Sequence, residues 1–318
     1  MIKASAPGKI ILVGEHFVVY NKPAIATAIN LRAHVFVKKL EGDFKIKIYS
    51  KNLSKKAIFN MQSENKHSEL YPIYYAAYKT MQEIGKIQPV EIIIDSQIPP
   101  ASGMGSSAAV SVATVKAISS LLDVSLSKDK ISKIAYEAEK IVHGKPSGID
   151  NTISTYGGTI VYQKDKGFRF LNYDVKEAVF ILVDTGIPRN TGLMVRKVRL
   201  LNDKYPEIMN LINITAEKLV LRFINAMEKN DLIQMGELFN INQGLLAAIN
   251  VSNKKIEELI YAARNAGALG AKITGAGGGG YIIILTTKNK ANEIMKVLRE
   301  LSEHVFLVNI ATEGVRLD

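Results

Sequence analysis

Apolar and polar positions alternate through much of the first part of the chain, and this alternation predicts β-strands. The strand-like segments are residues 10–13, 33–39, 44–49 and 90–94, and residues 157–162 predict a turn followed by a further strand. Residues 68–84 have helical spacing instead. The first half of the chain is therefore predicted to combine a sheet with helices.

A second helix is predicted after Ser127, which has the side chain of a helix N-cap. The positions spaced to form its buried face are Ile131, Ile134, Ala138 and Ile141. His143 and Gly144 end this helix, with glycine in the expected stop position.

A second block begins near Phe170 and has a different order of elements. Residues 178–183 predict a strand, residues 192–249 are largely helical, and Ser252 is predicted to cap a helix that runs to about Asn265. The remaining elements are predicted as strands 272–274 and 281–285, a helix 291–301 and a strand 305–310. This order is typical of an α+β domain whose helices pack against an antiparallel sheet.

Residues 99–109 read Pro-Pro-Ala-Ser-Gly-Met-Gly-Ser-Ser-Ala-Ala and are the most informative stretch of the chain. Gly103 and Gly105 lack a Cβ, so the backbone can turn tightly there and approach a ligand closely. Ser106 and Ser107 follow, where a helix would begin. The N-terminus of a helix presents unpaired N–H groups that favour an anion such as phosphate. An ordinary serine-capped helix after a glycine turn is the alternative interpretation.

Two better-known phosphate-binding fingerprints fit this run poorly. A Walker A loop needs Gly-Lys followed by Ser or Thr, whereas the pairs that begin at Gly8, Gly85 and Gly144 are followed by Ile, Ile and Pro. The dinucleotide fingerprint G-x-G-x-x-A is matched formally, with Asp123 about 20 residues further on. Asp123 follows a helical stretch, however, and does not end a second strand.

Residues 143–151, together with Glu139 on the preceding helix, form a second candidate constellation. Pro146 and Gly148 predict a rigid turn that would aim Asp150 back toward the end of that helix. Two carboxylates, one for Mg²⁺ and one for a substrate hydroxyl, are what phosphoryl transfer requires. A simple Asx turn explains the Asp-Asn pair as well.

Two further segments complete the set of candidates. In residues 6–16, Lys9 opens an apolar strand and is costly to bury without an anionic partner, and Glu15 and His16 follow that strand. In residues 272–280, four consecutive glycines stand between two strands, which suggests a close approach of the backbone. The alternative for residues 6–16 is a solvated lysine followed by a surface turn, and the alternative for residues 272–280 is a flexible hairpin.

Composition narrows the function classes. The chain has 318 residues, 47% of them hydrophobic and 22% charged, which is typical of a globular protein of about two domains. No apolar run reaches the roughly 20 residues of a membrane span, and the absence of cysteine fits a cytoplasmic location. The net charge of +11 comes from dispersed lysines, so nucleic acid is not expected as a partner.

The four segments together resemble the GHMP kinase superfamily, in the order of an early Pro-Gly-Lys motif, a central glycine-serine phosphate loop and a late glycine-rich motif. Within it they are most similar to the mevalonate kinases of archaeal type. Met104 stands where leucine is commoner, and Asn21 where glycine is usual. The resemblance implies an α+β fold with a ribosomal-protein-S5-domain-2-like α/β domain, residues 1–170, and a ferredoxin-like α+β domain, residues 171–318.

The resemblance also implies the reaction, which is transfer of the γ-phosphate of ATP, with Mg²⁺, to the primary hydroxyl of mevalonate. Asp150 would be the catalytic carboxylate and would also bind the substrate, and Lys9 would stabilise charge beside it. Ser107 and Glu139 would hold Mg²⁺. The residues implied in ATP and phosphate binding are Pro100, Ala101, Ser102, Gly103, Met104, Gly105, Ser106, Ser107, Ala108, Gly275 and Gly277.

Glu15 and His16 are implied to contact mevalonate. Other acceptors of the superfamily stay open, namely phosphomevalonate, homoserine and galactose, as does an inactive sensor that only binds. A phosphorylated acceptor would call for additional Lys or Arg, and the Lys9–Asp150 pair argues against homoserine, since homoserine kinases of the superfamily generally lack the Asp. The presence of Lys9, Glu139 and Asp150 together argues against a sensor. A homodimer is possible, and neither a membrane nor nucleic acid is expected as a partner.

Overall fold

A computed structural model describes residues 1–61, 67–144, 146–171 and 177–318. The strands are β1 Ile2–Val13, β2 Ala24–Lys39, β3 Ile46–Ser50, β4 Lys55–Phe59, β5 Val90–Ser96, β6 Thr159–Gln163, β7 Gly167–Leu171, β8 Ala178–Asp184, β9 Gly270–Thr274, β10 Tyr281–Thr287, β11 Val305–Val308 and β12 Arg316–Leu317. The helices are α1 Tyr71–Ile84, α2 Ser106–Leu121, α3 Lys128–His143, α4 Ile149–Tyr156, α5 Thr191–Lys204, α6 Pro206–Glu228, α7 Leu232–Ala248, α8 Lys254–Asn265 and α9 Lys288–Arg299, with a 3-10 turn at Phe17–Tyr20.

Each predicted strand and helix has a counterpart in these bounds. Ser127 caps α3 as predicted, because its side chain accepts a hydrogen bond from the backbone N–H of Lys130. The prediction for Ser252 is wrong: Asn253 caps α8 by accepting from the N–H of Ile256. The hydroxyl of Ser252 instead donates to the carboxylate of Glu257, 2.5 Å away.

Ile141 was predicted on the buried face of α3, and this is also wrong, because its side chain is exposed. Elements that the periodicity missed include β4, β7 and the short helix α4. These are too short, or too mixed in polarity, for a periodic pattern to emerge.

The chain divides into two compact units that alternate along the sequence. Unit 1 comprises Met1–Lys9, Ala28–Gly157 and Ala311–Asp318, and unit 2 comprises Ile10–Thr27 and Gly158–Ile310. The single boundary predicted between residues 170 and 171 stays a prediction.

Unit 1 contains a mixed sheet covered by helices. Its strand order is β12-β1-β2-β5-β3-β4, in which β3 runs parallel to β5 and antiparallel to β4. Helix α2 packs against α1, α3 and α4. Small residues such as Ala109 and Ala113 leave α2 almost wholly buried, which explains why it lacks a polar face. From Ala108 onward this central helix therefore lies within the core of unit 1.

Unit 2 is built on an antiparallel sheet with the order β11-β8-β10-β9. In chain order these strands lie as fourth, first, third and second, which is the ferredoxin-like arrangement that the resemblance implies. Helix α7 covers the edge strand β9, where Asn240 and Gln243 accept hydrogen bonds from the N–H groups of Ala271 and Ile273. The edge is thus closed to further strand pairing. No helix in the described part of the chain is long and apolar enough to cross a bilayer.

Candidate active site

The glycine-serine run of unit 1 forms a turn that leads directly into α2. Gly105 is the N-cap residue and has a φ of 72°, so Ser106 is the first residue of the helix. Gly103 has a φ of 81°. The carbonyl of Met104 accepts a hydrogen bond of 2.8 Å from the backbone N–H of Lys9, which ties the turn to β1. The structure therefore provides the helix start that the anion-binding prediction requires.

Lys9 and Asp150 form an ion pair beside this turn. The Nζ of Lys9 lies 3.2 Å from Oδ1 of Asp150. Lys9 is only 7% exposed, whereas the Asp150 side chain is 30% exposed. Asp150 stands in the first turn of α4, whose N-cap is Gly148 in a left-handed conformation. The carboxylate is thus held by a buried cation and still faces solvent.

Gly105 lies against both members of that pair. A Cβ at this position would be 3.1 Å from Cγ of Lys9 and 3.6 Å from Oδ2 of Asp150. Together with its positive φ, this leaves glycine as the residue that fits without displacing its neighbours. The ion pair therefore lies directly beside the start of α2.

Glu139 is a buried carboxylate on α3. It is 3% exposed, and its Oε2 has no hydrogen-bond partner among the described residues. Burial, and to a lesser extent the nearby charge of Asp150, raises the pKa of Glu139 to about 8 against the opposing effect of Lys9. A buried carboxylate oxygen without a partner needs a proton or a cation. Its environment therefore fits a ligand of a divalent cation.

The predicted partner of Glu139 in metal binding, Ser107, is exposed in the first turn of α2. Within the described ranges, no group of three or more His, Asp or Glu side chains is arranged to hold a metal ion. Lys145, in the segment that carries Asp150, lies outside the described residues.

A cavity of about 500 Å³ adjoins the turn in unit 1. Its walls include Pro100, Ala101, Ser106 and Ser107 of the glycine-serine run. Apolar side chains line much of the remainder, among them Leu53, Ile73, Ile94, Val110 and Ile141. This size and largely apolar lining are typical of a small-molecule site. The exposed position of Ile141 is explained by this cavity.

In unit 2, Glu15 is 1% exposed and belongs to a buried polar cluster. The ammonium of Lys272 donates to Oε1 of Glu15, and Nδ2 of Asn242 donates to Oε2 over 3.2 Å. Burial raises the pKa of Glu15 and lowers that of Lys272, and each partner opposes the shift of the other. The carboxylate is therefore committed to two partners within the protein.

His16 follows directly and lines a cavity of about 150 Å³ together with Tyr20, Val195, Val198 and Arg199. Its Nε2 lies 2.8 Å from the carbonyl of Ala276, and a carbonyl can only accept, so Nε2 carries a proton. Burial lowers the pKa of His16, which favours the neutral ring with an unprotonated Nδ1. The cavity thus offers an acceptor from His16 and a guanidinium from Arg199.

Arg199 was not among the residues predicted from the sequence. The only indication in the sequence is the helical spacing of Val195 and Val198, which places Arg199 at the border of an apolar helix face. Nothing in the local pattern separates it from the other exposed basic residues of α5.

Most of the close contacts that the glycines of residues 275–280 allow are with other parts of the same chain. Gly277 has a φ of 72°, and a Cβ there would collide with the carbonyl of Val251. A Cβ at Gly278 would collide with Met194. Gly275 has more space, with Arg189 Nη1 3.6 Å from the position of a Cβ. The predicted roles of Gly275 and Gly277 in ATP binding stay predictions.

Comparison with known proteins agrees with this arrangement. Residues 72–158 match the family described as "GHMP kinases N terminal domain", and residues 223–304 match "GHMP kinases C terminal". The first of these ranges includes the glycine-serine run, Glu139 and Asp150. The chain belongs to the GHMP kinase family, and it is an ATP-dependent small-molecule kinase.

The individual relatives are more specific. A mevalonate kinase of Pyrococcus abyssi is 38% identical, with 100% of this chain and 98% of the relative covered. The crystal structure of the Methanococcus jannaschii mevalonate kinase superposes with a TM-score of 0.87 at 28% identity, covering 97% of this chain and 98% of that one. A mevalonate kinase of L. major in complex with R-mevalonate gives a TM-score of 0.83 at 26% identity, with coverage of 98% and 96%.

Proposed function

We propose that this protein transfers the γ-phosphate of ATP to the primary hydroxyl of mevalonate and forms 5-phosphomevalonate, a step of isoprenoid biosynthesis. The observation that carries the proposal is the Lys9–Asp150 pair, at 3.2 Å, which lies beside Gly105 at the start of a buried helix. Full-length similarity to mevalonate kinases supports the choice of acceptor.

Asp150 and Lys9 carry the transfer step in this proposal. Asp150 accepts a hydrogen bond from the acceptor hydroxyl and takes its proton as the oxygen attacks the γ-phosphorus. Lys9 stabilises the negative charge on the attacking oxygen and on the phosphoryl group, since its burial leaves the ammonium little water to compete with. The N–H groups at the start of α2 bind the phosphates.

Glu139 and Ser107 are the residues that would hold Mg²⁺. The buried, unpartnered Oε2 of Glu139 fits this role, because a divalent cation satisfies a carboxylate that water does not reach. When bound with ATP, Mg²⁺ neutralises charge on the triphosphate. The protein's own contribution is to keep Glu139 away from water until the cation displaces its proton.

The cavity of about 500 Å³ in unit 1 is the proposed site of the nucleoside. It begins at the serines that would contact the phosphates and continues along apolar side chains such as Ile73 and Ile94, which suit a flat base. The acceptor-binding groups proposed in unit 2 are Arg199 and His16. Arg199 pairs with a carboxylate, and the Nδ1 of His16 accepts from a hydroxyl.

A panel of acceptors with Mg-ATP tests the proposal. Release of ADP is measured with R-mevalonate, phosphomevalonate, homoserine and galactose, and phosphorus NMR identifies the product. We expect mevalonate to be preferred. A preference for another acceptor would refute mevalonate as the substrate but leave the kinase activity supported. Absence of ADP release with the whole panel would support an inactive sensor. The cytoplasmic location and the homodimer stay predictions.

A further inference from the structure

The Lys272 side chain is buried in the middle of strand β9. It is 0% exposed, and Ala271 and Ile273 on either side are equally buried. Its ammonium donates to Oε1 of Glu15 and to the carbonyl of Ile273, and it lies 5.5 Å from the centre of the Phe239 ring. A lysine is retained at such a position only when its partners offset the loss of water. Glu15 is the anionic partner that does so.

Glu15 lies between two residues with unusual backbone conformations. Gly14 has a φ of 98°, and His16 has a φ of 63° although it is not glycine. A positive φ in a bulky residue is strained and persists only where surrounding contacts hold it. A Cβ at Gly14 would collide with the carbonyl of Pro23, so this side of the turn is closely packed.

The contacts that hold this turn come from the buried cluster and from one further hydrogen bond. Lys272 and Asn242 occupy the two oxygens of Glu15, and the Nε2 of His16 donates to the carbonyl of Ala276. The imidazole of His16 is thereby presented to the cavity that Arg199 also lines. Glu15 lies beneath the surface and has both oxygens engaged, which argues against direct contact with the acceptor.

We propose that Lys272 is a positioning residue, whose buried ammonium holds Glu15 so that the strained turn presents His16 to the acceptor. The kinetic test of this proposal uses mevalonate as the acceptor and therefore rests on the proposed function. The competing explanation is that the ion pair only stabilises the fold. The two explanations differ in what happens when both charges are removed together.

The experiment compares Lys272→Met, Glu15→Gln and the double variant with the wild type. Lys272→Met alone leaves a buried carboxylate without its cation and lowers the urea midpoint. The double variant has no charge left in this buried cluster, so most of that stability returns. If Lys272 positions His16, the double variant still has a KM for mevalonate raised about tenfold or more, with the KM for ATP within about twofold of wild type.

A second readout does not depend on catalysis. Proton NMR titration of the His16 imidazole, assigned with His16→Asn, reports its surroundings directly. Release of the turn exposes the ring to water, so we expect the pKa of His16 to rise toward its ordinary value in the double variant. Lys290→Met, which breaks an exposed pair with Glu293 on α9, is the control and should change neither the KM nor the titration.

A folded double variant with wild-type KM for mevalonate and an unchanged His16 titration would overturn the inference and leave the pair as a stabilising contact. If the wild-type protein transfers no phosphate to mevalonate, the proposed function fails. The NMR titration then decides the inference alone: a risen pKa of His16 supports it, and an unchanged one refutes it.

Discussion

Glu139 is the group whose replacement tests the electrostatics of the site most sharply. Its pKa rises on folding from the ordinary 4.5 to about 8, chiefly because it is buried. Between those pH values the folded protein holds a proton that the unfolded chain releases. Glu139 therefore leaves the free energy of unfolding intact below about pH 4.5 and lowers it progressively as the pH rises through about 8. Glu139→Gln cannot ionise, so its free energy of unfolding does not fall in this way.

The magnitude follows from the shift. At about 1.4 kcal/mol for each pKa unit, the change from 4.5 to about 8 corresponds to an upper limit of about 5 kcal/mol. Relaxation of the protein and entry of water reduce this limit. We therefore expect the free energy of unfolding of Glu139→Gln, relative to that of the wild type, to increase by about 2 kcal/mol from about pH 5 to about pH 8.

Urea unfolding in the presence of a chelator at these two pH values measures the gain. Glu137→Gln is the matched control, since it removes an exposed carboxylate, paired with Lys140, from the same helix. A Glu139→Gln variant whose stability relative to wild type is the same at both pH values would refute the reasoning.

Three further variants probe the same site. Gly105→Ala should lower kcat about tenfold or more by displacing Lys9. Gly85→Ala is the control, because Gly85 has a similar φ but open space around it, so the change should cost only ~1 kcal/mol of stability from backbone strain. Equal activities of the two variants would contradict this. Arg199→Met should raise the KM for mevalonate about tenfold but not that for an analogue with a hydroxymethyl in place of the carboxylate. Arg196→Met is the control, because Arg196 is exposed on the same helix and is not among the residues that line the cavity. Lys9→Met should lower kcat about a hundredfold or more with little change in the Kd for ATP, and wild-type turnover would exclude its proposed role.

The fold was largely predictable because each unit has long elements with clear periodicity. The strand 178–183 and the helix after Ser127 follow directly from apolar spacing. The short helix α4, which holds Asp150, could not be found this way, because its eight residues span about two turns. The alternation of units along the chain depends on pairings such as that of β12 with β1, between residues more than 300 positions apart.

The site was predictable where glycine reports a backbone requirement. Gly105 is glycine because of its φ and because Lys9 and Asp150 leave little room for a Cβ, and the sequence places all three residues among the candidates. Lys272 and Arg199 were not predicted as functional groups. A lysine in a strand gives no indication of its partner, and Glu15 is 257 positions away along the chain.

Single-turnover transfer with Asp150→Asn tests the central claim most directly. Asn keeps the shape of Asp150 but cannot take a proton, and it leaves Lys9 without its anion. Binding of ATP, measured by calorimetry, should stay within about threefold of wild type, while the rate of phosphate transfer to mevalonate falls by about a thousandfold or more. Transfer at the wild-type rate by a variant that binds ATP normally would contradict the account.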